Sequence, residues 1–466
     1  MDRRAASRAY GHKSAGGSKR TVADEFDRHP WWVNANNNWN QVCNSGLSIA
    51  AIALANQYPK LAARIISRAL RNLPTELANY SPDGAYPEGP SYWSYGTSWT
   101  LVGDSAFQSA FGTDCLHLVK IPGFIKSATY KLETIAPSER TFDYSDSGET
   151  GLDLNTQGIL TWFAQKTGDG LYLNQGRMLS MLHKAAASDD ASPGFAPIYL
   201  VWLSQFKEKN ASALPAYWEG RGHNPIAVFR AQKDVHTGFY LGVKGGSASA
   251  NHGNMDVGSF VFELHGVRWS IDPGSRSYHA IEEVMGSKLW DESQDSQRWS
   301  LLTKNNRFHS TLTVNGERHN VDGFAPITKF QVEAPPELVS LDLSSIFAGQ
   351  LNRAIRTFKK VGPAALQIED DIEPSEKTKT VMWAMMTRAN VITASHGAIL
   401  KQDHQTLQLK IIKPAQCNVS VVSLDPPPLS YDKRIKGLKR IEIKIPSYLL
   451  KNQRDEIVVE LTGEKR

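Results

Sequence analysis

The stretch that decides the fold is Ser259-Phe260-Val261-Phe262-Glu263-Leu264-His265-Gly266-Val267-Arg268-Trp269-Ser270-Ile271-Asp272. Phe260, Phe262 and Leu264 alternate with Val261 and Glu263, which is the period of a strand. His265-Gly266 stands where a two-residue hairpin turn belongs, and Val267, Trp269 and Ile271 bring the chain back. In this register Leu264 faces Val267, Phe262 faces Trp269 and Ser259 faces Asp272. Asp272 therefore lands at the same hairpin end as the polar loop Asn251-His252-Gly253-Asn254-Met255-Asp256, and only a bulge would shift that pairing.

Strand patterning continues around this hairpin. Residues 239–243, 419–424, 441–445 and 456–461 are β-branched or aromatic runs bounded by turn residues, and no long helical pattern follows about residue 290. A β-sandwich of roughly 240 residues fits this half. Upstream the period changes. Residues 44–57 are apolar and Ala-rich, and Tyr58-Pro59 breaks them. Leu61, Ile65, Ile66 and Leu70 then mark one face of a second helix, with Pro74 near its end. Residues 151–166 and 178–187 also read as helices. Helix pairs with short breaks suggest a stack of α/α hairpins. The expected organisation is α+β and multidomain: a disordered segment over 1–25, a helical domain over 26–215 and a β-sandwich domain over 216–466.

Composition narrows the functional classes. The chain has 466 residues, 41% hydrophobic and 21% charged, and a formal net charge of +5. That supports a sizeable core and tolerates an anionic ligand. No Lys/Arg stripe with interleaved aromatics occurs, so nucleic acid is not an expected partner. No apolar run is long enough for a membrane helix, so no membrane insertion is expected. The N-terminal 20 residues lack an apolar signal-peptide core. Cys43, Cys115 and Cys417 are far apart, form no metal-like pair, and read as small buried hydrophobes. Oligomeric state is not legible.

Four polar clusters carry chemistry. Asn36-Asn37-Asn38-Trp39-Asn40-Gln41 precedes the first helix; Asn caps helices, but four in five positions exceed capping and also suit an anion. Tyr86-Pro87-Glu88-Gly89-Pro90-Ser91-Tyr92-Trp93-Ser94-Tyr95-Gly96 reads as a rigid loop running into aromatics, either packed or presenting a sugar-stacking platform and a proton-transfer tyrosine. The 251–256 loop and Asp272 form the third. Asn305-Asn306-Arg307-Phe308-His309-Ser310-Thr311 places a second His at a strand entrance.

In order and spacing these motifs resemble the heparinase II/III-like family of polysaccharide lyases. The carrying residues are His252 to Asp256, Ser259-Phe260, Gly266-Val267-Arg268-Trp269, Asp272-Pro273-Gly274, Arg298-Trp299 and Asn306 through His309 to Leu312. In the helical half they are the asparagine cluster, Glu88-Gly89-Pro90-Ser91-Tyr92-Trp93-Ser94-Tyr95-Gly96 and Phe142-Asp143-Tyr144-Ser145-Asp146-Ser147. The resemblance implies an incomplete (α/α) toroid followed by a large antiparallel β-sandwich. It also implies β-elimination on a uronic-acid polysaccharide such as alginate or a glycosaminoglycan, an anionic substrate. Catalytic roles fall on Tyr92, His252 and Asn38, with Tyr95 the alternative tyrosine. Substrate contacts fall on Asn37, Asn40, Glu88, Trp93 and Arg268.

The resemblance requires no cofactor, since elimination needs no activated water, but it allows a structural divalent ion, zinc or calcium. The candidate ligands are Asn254, Asp272 and His309. Zinc-holding members carry His where Asn254 stands, and an amide oxygen suits calcium better than zinc. Family likeness implies a periplasmic or secreted protein. The lack of a signal peptide, with a helical half short for a toroid, suggests an N-terminally truncated chain, or otherwise a cytoplasmic one. Two other readings share the site: a uronyl C5-epimerase and a non-catalytic carbohydrate-binding protein. A hydrolase would draw on Glu88, Asp146 and Glu149, which no pattern places across one cleft.

Overall fold

A computed structural model describes residues 30–186, 194–231, 238–450 and 454–463. The 1–25 segment and Ala187 lie outside the described residues. Among those described, helices occupy the first half and three antiparallel sheets, of five, eight and four strands, occupy the second. The last helix of the first half ends at Gln205 and the first strand begins at Tyr217. No described helix is long and apolar enough to cross a membrane. Cys43, Cys115 and Cys417 are all free thiols.

The helices are α1 (Asn38–Ala53), α2 (Pro59–Leu77), α3 (Pro90–Phe111), α4 (Ser127–Glu133), α5 (Leu154–Thr167), α6 (Gln175–Ala186) and α7 (Ala196–Gln205). The asparagine cluster is itself the start of α1, six residues before the apolar run that announced it. Asn37 caps it, its Oδ1 accepting from Trp39 N at 3.1 Å. Pro74 lies inside α2, not beyond it. It stands in the last turn, where its missing N–H removes one bond of the helix close to its end. The 86–96 segment, expected as a loop, opens α3 instead. Gly89, at φ 93°, precedes Pro90 in the first turn, so the Gly-Pro pair starts a helix. Helix α3 then packs closely on α1 because it offers glycines at the contact. A Cβ on Gly103 would lie 2.8 Å from the Ser45 Cβ, and one on Gly96 would overlap the Gln41 amide. This close approach brings the N-terminal turns of α1 and α3 together.

The five-stranded sheet runs in chain order: β1 (Tyr217–Gly220), β2 (Ile226–Arg230), β3 (Tyr240–Lys244), β4 (Phe260–Leu264) and β5 (Val267–Ser270). The His265-Gly266 turn has φ of 55° and 76°, as a twist-matched two-residue hairpin requires. Leu264 pairs with Val267 as expected. A bulge lies between Phe262 and Glu263, so Phe262 pairs with Ser270 rather than Trp269.

This sheet is buried on both faces. Ala227, Phe229, Leu241, Val243, Phe260 and Phe262 join the sandwich core, while Ile226, Val228, Tyr240 and Val261 join the helical core. The period of two thus feeds two hydrophobic cores through one sheet. Gly242 leaves room for Phe142, whose ring lies 2.6 Å from where a Cβ would stand. Buried charges reinforce the seam. Arg268 donates to Glu263 at 2.6 Å and to the carbonyls of Thr141 and Arg140 at 2.6 and 3.0 Å. Arg230 donates to Glu133 at 2.9 Å. Residues 134–150 are therefore clamped between the halves, which delivers Asp143 and Asp146 to the junction.

Candidate active site at the junction

Four segments converge. Asn38 stands in the first turn of α1, Tyr92 in the first turn of α3, and Asp146 on the clamped connection. His252 sits on the loop before β4 in the left-handed region, at φ 58°, an uncommon conformation for a non-glycine residue. The loop is tied down by Arg298, which donates to Gly253 O at 2.8 Å. The His252 ring stacks on Tyr92 with centroids 3.8 Å apart and planes 14° apart. The Asn38 Nδ2 lies 3.3 Å from His252 Nε2. Tyr278, on α8 (Tyr278–Met285), completes the group.

Tyr278 is the hub. Its hydroxyl donates to Asp146 Oδ2 at 2.7 Å and lies 2.8 Å from the Tyr92 hydroxyl and 2.9 Å from His252 Nδ1. A phenol has one proton. With that proton on Asp146, Tyr92 must donate to Tyr278, and His252 must carry hydrogen on Nδ1. His252 Nε2 is then the unprotonated nitrogen and accepts from the Asn38 amide at 3.3 Å. Asp146 also pairs with the Lys304 ammonium.

Electrostatics reinforce this assignment. Burial opposes the Asp146 charge, but Lys304, the His252 ring nitrogen 3.5 Å away and Arg298 together hold its carboxyl far below the usual range. Burial, followed by the Asp146 charge, pushes both the Tyr92 and Tyr278 phenols upward. Burial lowers Lys304 to about 8 against the pull of Asp146. Both phenols are therefore held in their protonated form at neutral pH.

The other expected residues divide clearly. Tyr95 lies one turn further along α3, with 44% of its surface exposed, and is not among the rings packed on His252. Glu88 is fully buried. It accepts from Asn38 N at 3.2 Å and Nδ2 at 2.6 Å, so it orients Asn38 and cannot meet a substrate directly. Burial raises its carboxyl pKa, with His252 and Asn38 pulling the other way. Asn40 is buried and donates to the carbonyls of Val33 and Asn72. Trp93 is fully buried in the helical core, so it offers no sugar platform. Arg268 is saturated inside the seam. The substrate contacts expected at Asn40, Glu88, Trp93 and Arg268 are thus corrected to internal structural roles, because each side chain is enclosed. Asn37 is the helix cap.

Sequence reasoning missed Tyr278 and Lys304. Tyr278 opens an eight-residue helix too short for a periodic signal, and Lys304 is a lone lysine after an apolar pair.

A second cluster adjoins the first. Asp256, Asp272 and His309 each bring a ligand atom within 4.8 Å of the others, and all three are buried. His309 Nδ1 lies 2.9 Å from Asn305 O, which turns Nε2 toward Asp272. Neither side-chain amide atom of buried Asn254 has a hydrogen-bond partner. Burial, then the Asp256 charge, raises Asp272 to about 8. One nitrogen and two carboxylates are a donor set that fits a divalent cation, and the unpartnered Asn254 amide stands two residues before Asp256 on the same loop. Lys244, 2.9 Å from Asp256, supplies one positive charge already.

A helical layer, an antiparallel sandwich and a tyrosine–histidine cluster between them define a two-part protein with a hydrogen-bonded polar network at its seam. Residues 226–421 match the family model described as heparinase II/III-like, C-terminal, so the chain carries a heparinase II/III-like C-terminal domain. Comparison with curated protein sequences finds no match. Among solved structures, the heparan sulfate lyase HepC from Pedobacter heparinus is similar at 14% identity and a TM-score of 0.62, over 95% of this chain and 62% of that one. A mutant of the same lyase gives 14%, 0.61, 91% and 59%. A heparinase III gives 12%, 0.60, 95% and 63%. These likenesses establish a shared fold. The chain spans about three fifths of the length of those structures.

Proposed function

We propose that the protein is a polysaccharide lyase that cleaves a uronic-acid glycan of the glycosaminoglycan type by β-elimination. The observation that carries this reading is the Tyr92–His252 stack joined through the Tyr278 hydroxyl, with the Asn38 amide beside it. The His252 Nε2 lone pair removes the C5 proton of the uronic acid. The electron pair of that bond becomes the C4–C5 double bond, the C4–O4 bond breaks, and Tyr92 protonates O4. Asn38 turns its second Nδ2 hydrogen from His252 to the uronate carboxylate, which frees the Nε2 lone pair and stabilises the charge developing on the carboxylate. Tyr278 then links base to acid: His252 passes its Nδ1 proton to Tyr278, and Tyr278 reprotonates Tyr92. His252 is left with the abstracted proton on Nε2, and exchange with solvent after product release restores the Nδ1 tautomer for the next turnover.

Acid and base share one side of the site, which favours elimination over the two-faced reprotonation an epimerase needs. The helical half is read as the family's incomplete (α/α) toroid. Asp256, Asp272 and His309, with Asn254, would hold a structural divalent ion that ties the His252 loop to the end of β5. It would supply rigidity and no chemistry. A panel of heparan sulfate, other glycosaminoglycans and alginate, followed by ultraviolet absorbance of unsaturated uronyl products, tests the reading. Absorbance that grows with wild-type protein and not with His252→Ala supports it. Silence across the panel from folded protein overturns it.

A further inference from the structure

Trp290 is 45% exposed, yet its indole is fixed. Its ring meets Tyr278 edge-on, with centroids 4.8 Å apart at 67°, and meets His252 at 6.5 Å and 83°. Its Nε1 donates to Glu282 at 2.8 Å. The supporting segment is rigid: Ile281, Met285 and Leu289 are buried together with Leu301, and Arg298 donates to the carbonyl of Leu289, one residue before Trp290. A large apolar ring is thus held half in solvent, against the two side chains that carry the proposed chemistry. Core packing does not account for its exposed face. A preoriented flat apolar surface beside polar groups complements the C–H face of a pyranose, and fixing it beforehand lowers the cost of binding.

We infer that Trp290 is the platform on which a sugar ring of the glycan stacks next to the reacting uronic acid. The sugar identity rests on the lyase reading, whereas the stacking rests on the geometry of Trp290.

The experiment compares Trp290→Ala, Trp290→Phe and a control at another exposed aromatic, Tyr448→Ala, with heparan sulfate as the probe. Loss of one stacked ring raises KM roughly three- to tenfold. The expected result is that rise for Trp290→Ala with kcat within about twofold, and recovery of most of it by Trp290→Phe. A fall in kcat at constant KM overturns the inference, because Trp290 would then act only by bracing Tyr278. Retardation of each protein in a heparan sulfate affinity gel, in a His252→Ala background, separates the two claims. Retardation lost only with Trp290→Ala, without any unsaturated product from the parent, upholds the platform and sinks the lyase. Equal retardation of parent and Trp290→Ala overturns the platform.

Discussion

Replacing Tyr278 by Phe removes one oxygen and leaves the ring in place. In the wild-type protein that oxygen serves three partners at 2.7–2.9 Å: Asp146, Tyr92 and His252. The ring contact with Trp290 does not involve it. Stability therefore falls modestly. Asp146 loses one charge-assisted bond but keeps Lys304, so the cost is about 2 kcal/mol. Catalysis falls much further. The proton can no longer pass from His252 to Tyr92, and removing a positioned proton carrier lowers kcat by about a hundred- to ten-thousandfold. KM changes little, since the hydroxyl is committed to internal partners. The assay is steady-state formation of unsaturated product, with urea unfolding run alongside. A Tyr278→Phe protein that keeps kcat within about threefold of the parent would refute the proton-relay reasoning.

Three further predictions follow from burial and charge. Arg268→Met leaves Glu263 and Asp143 buried without their cation, and urea unfolding should show a loss of about 3–5 kcal/mol; a loss under about 1 would mean that the seam does not depend on it. His319 is buried, its Nε2 is 3.0 Å from Leu312 O, and burial lowers it to about 4. Its folded pKa lies below its unfolded value, so the stabilisation is fully present above about 6.5 and is lost as pH falls toward 4. The total is about 3 kcal/mol, and a His319→Gln protein should show a shallower acid decline in urea unfolding. Metal analysis of protein purified without chelator should find about one divalent ion per chain, and chelation should lower the unfolding midpoint. No ion together with an unchanged midpoint would leave lysines, Lys244 beside Asp256 and Lys433 near Asp272, to balance the two carboxylates.

Some of this was legible in the sequence, for physical reasons. The hairpin could be read because turn chemistry and a period of two agree, and the Leu264–Val267 pairing follows from them. The bulge between Phe262 and Glu263 could not, because the alternation of apolar residues runs on unbroken through Trp269 and carries no sign of the extra residue. Helix α3 was hidden by Gly89-Pro90, a pair that reads equally as a turn or a helix start until α1 is packed against it. Asn38, Tyr92 and His252 stood out as members of polar clusters, and the structure brings them together. Tyr278 and Lys304 sit alone in unremarkable surroundings, and only tertiary contact gives them meaning. Trp93 misled because aromatic character says nothing about which way a helix faces.

The central claim is that cleavage occurs by elimination at the helix–sheet junction. Digestion of heparan sulfate in oxygen-18 water, followed by mass spectrometry of the fragments, tests it most directly. The account predicts that one fragment of each cleaved pair is lighter by one water and ultraviolet-absorbing, that neither carries oxygen-18 from the cut, and that both vanish with Tyr92→Phe. Saturated fragments carrying oxygen-18 would make the protein a hydrolase and contradict the account.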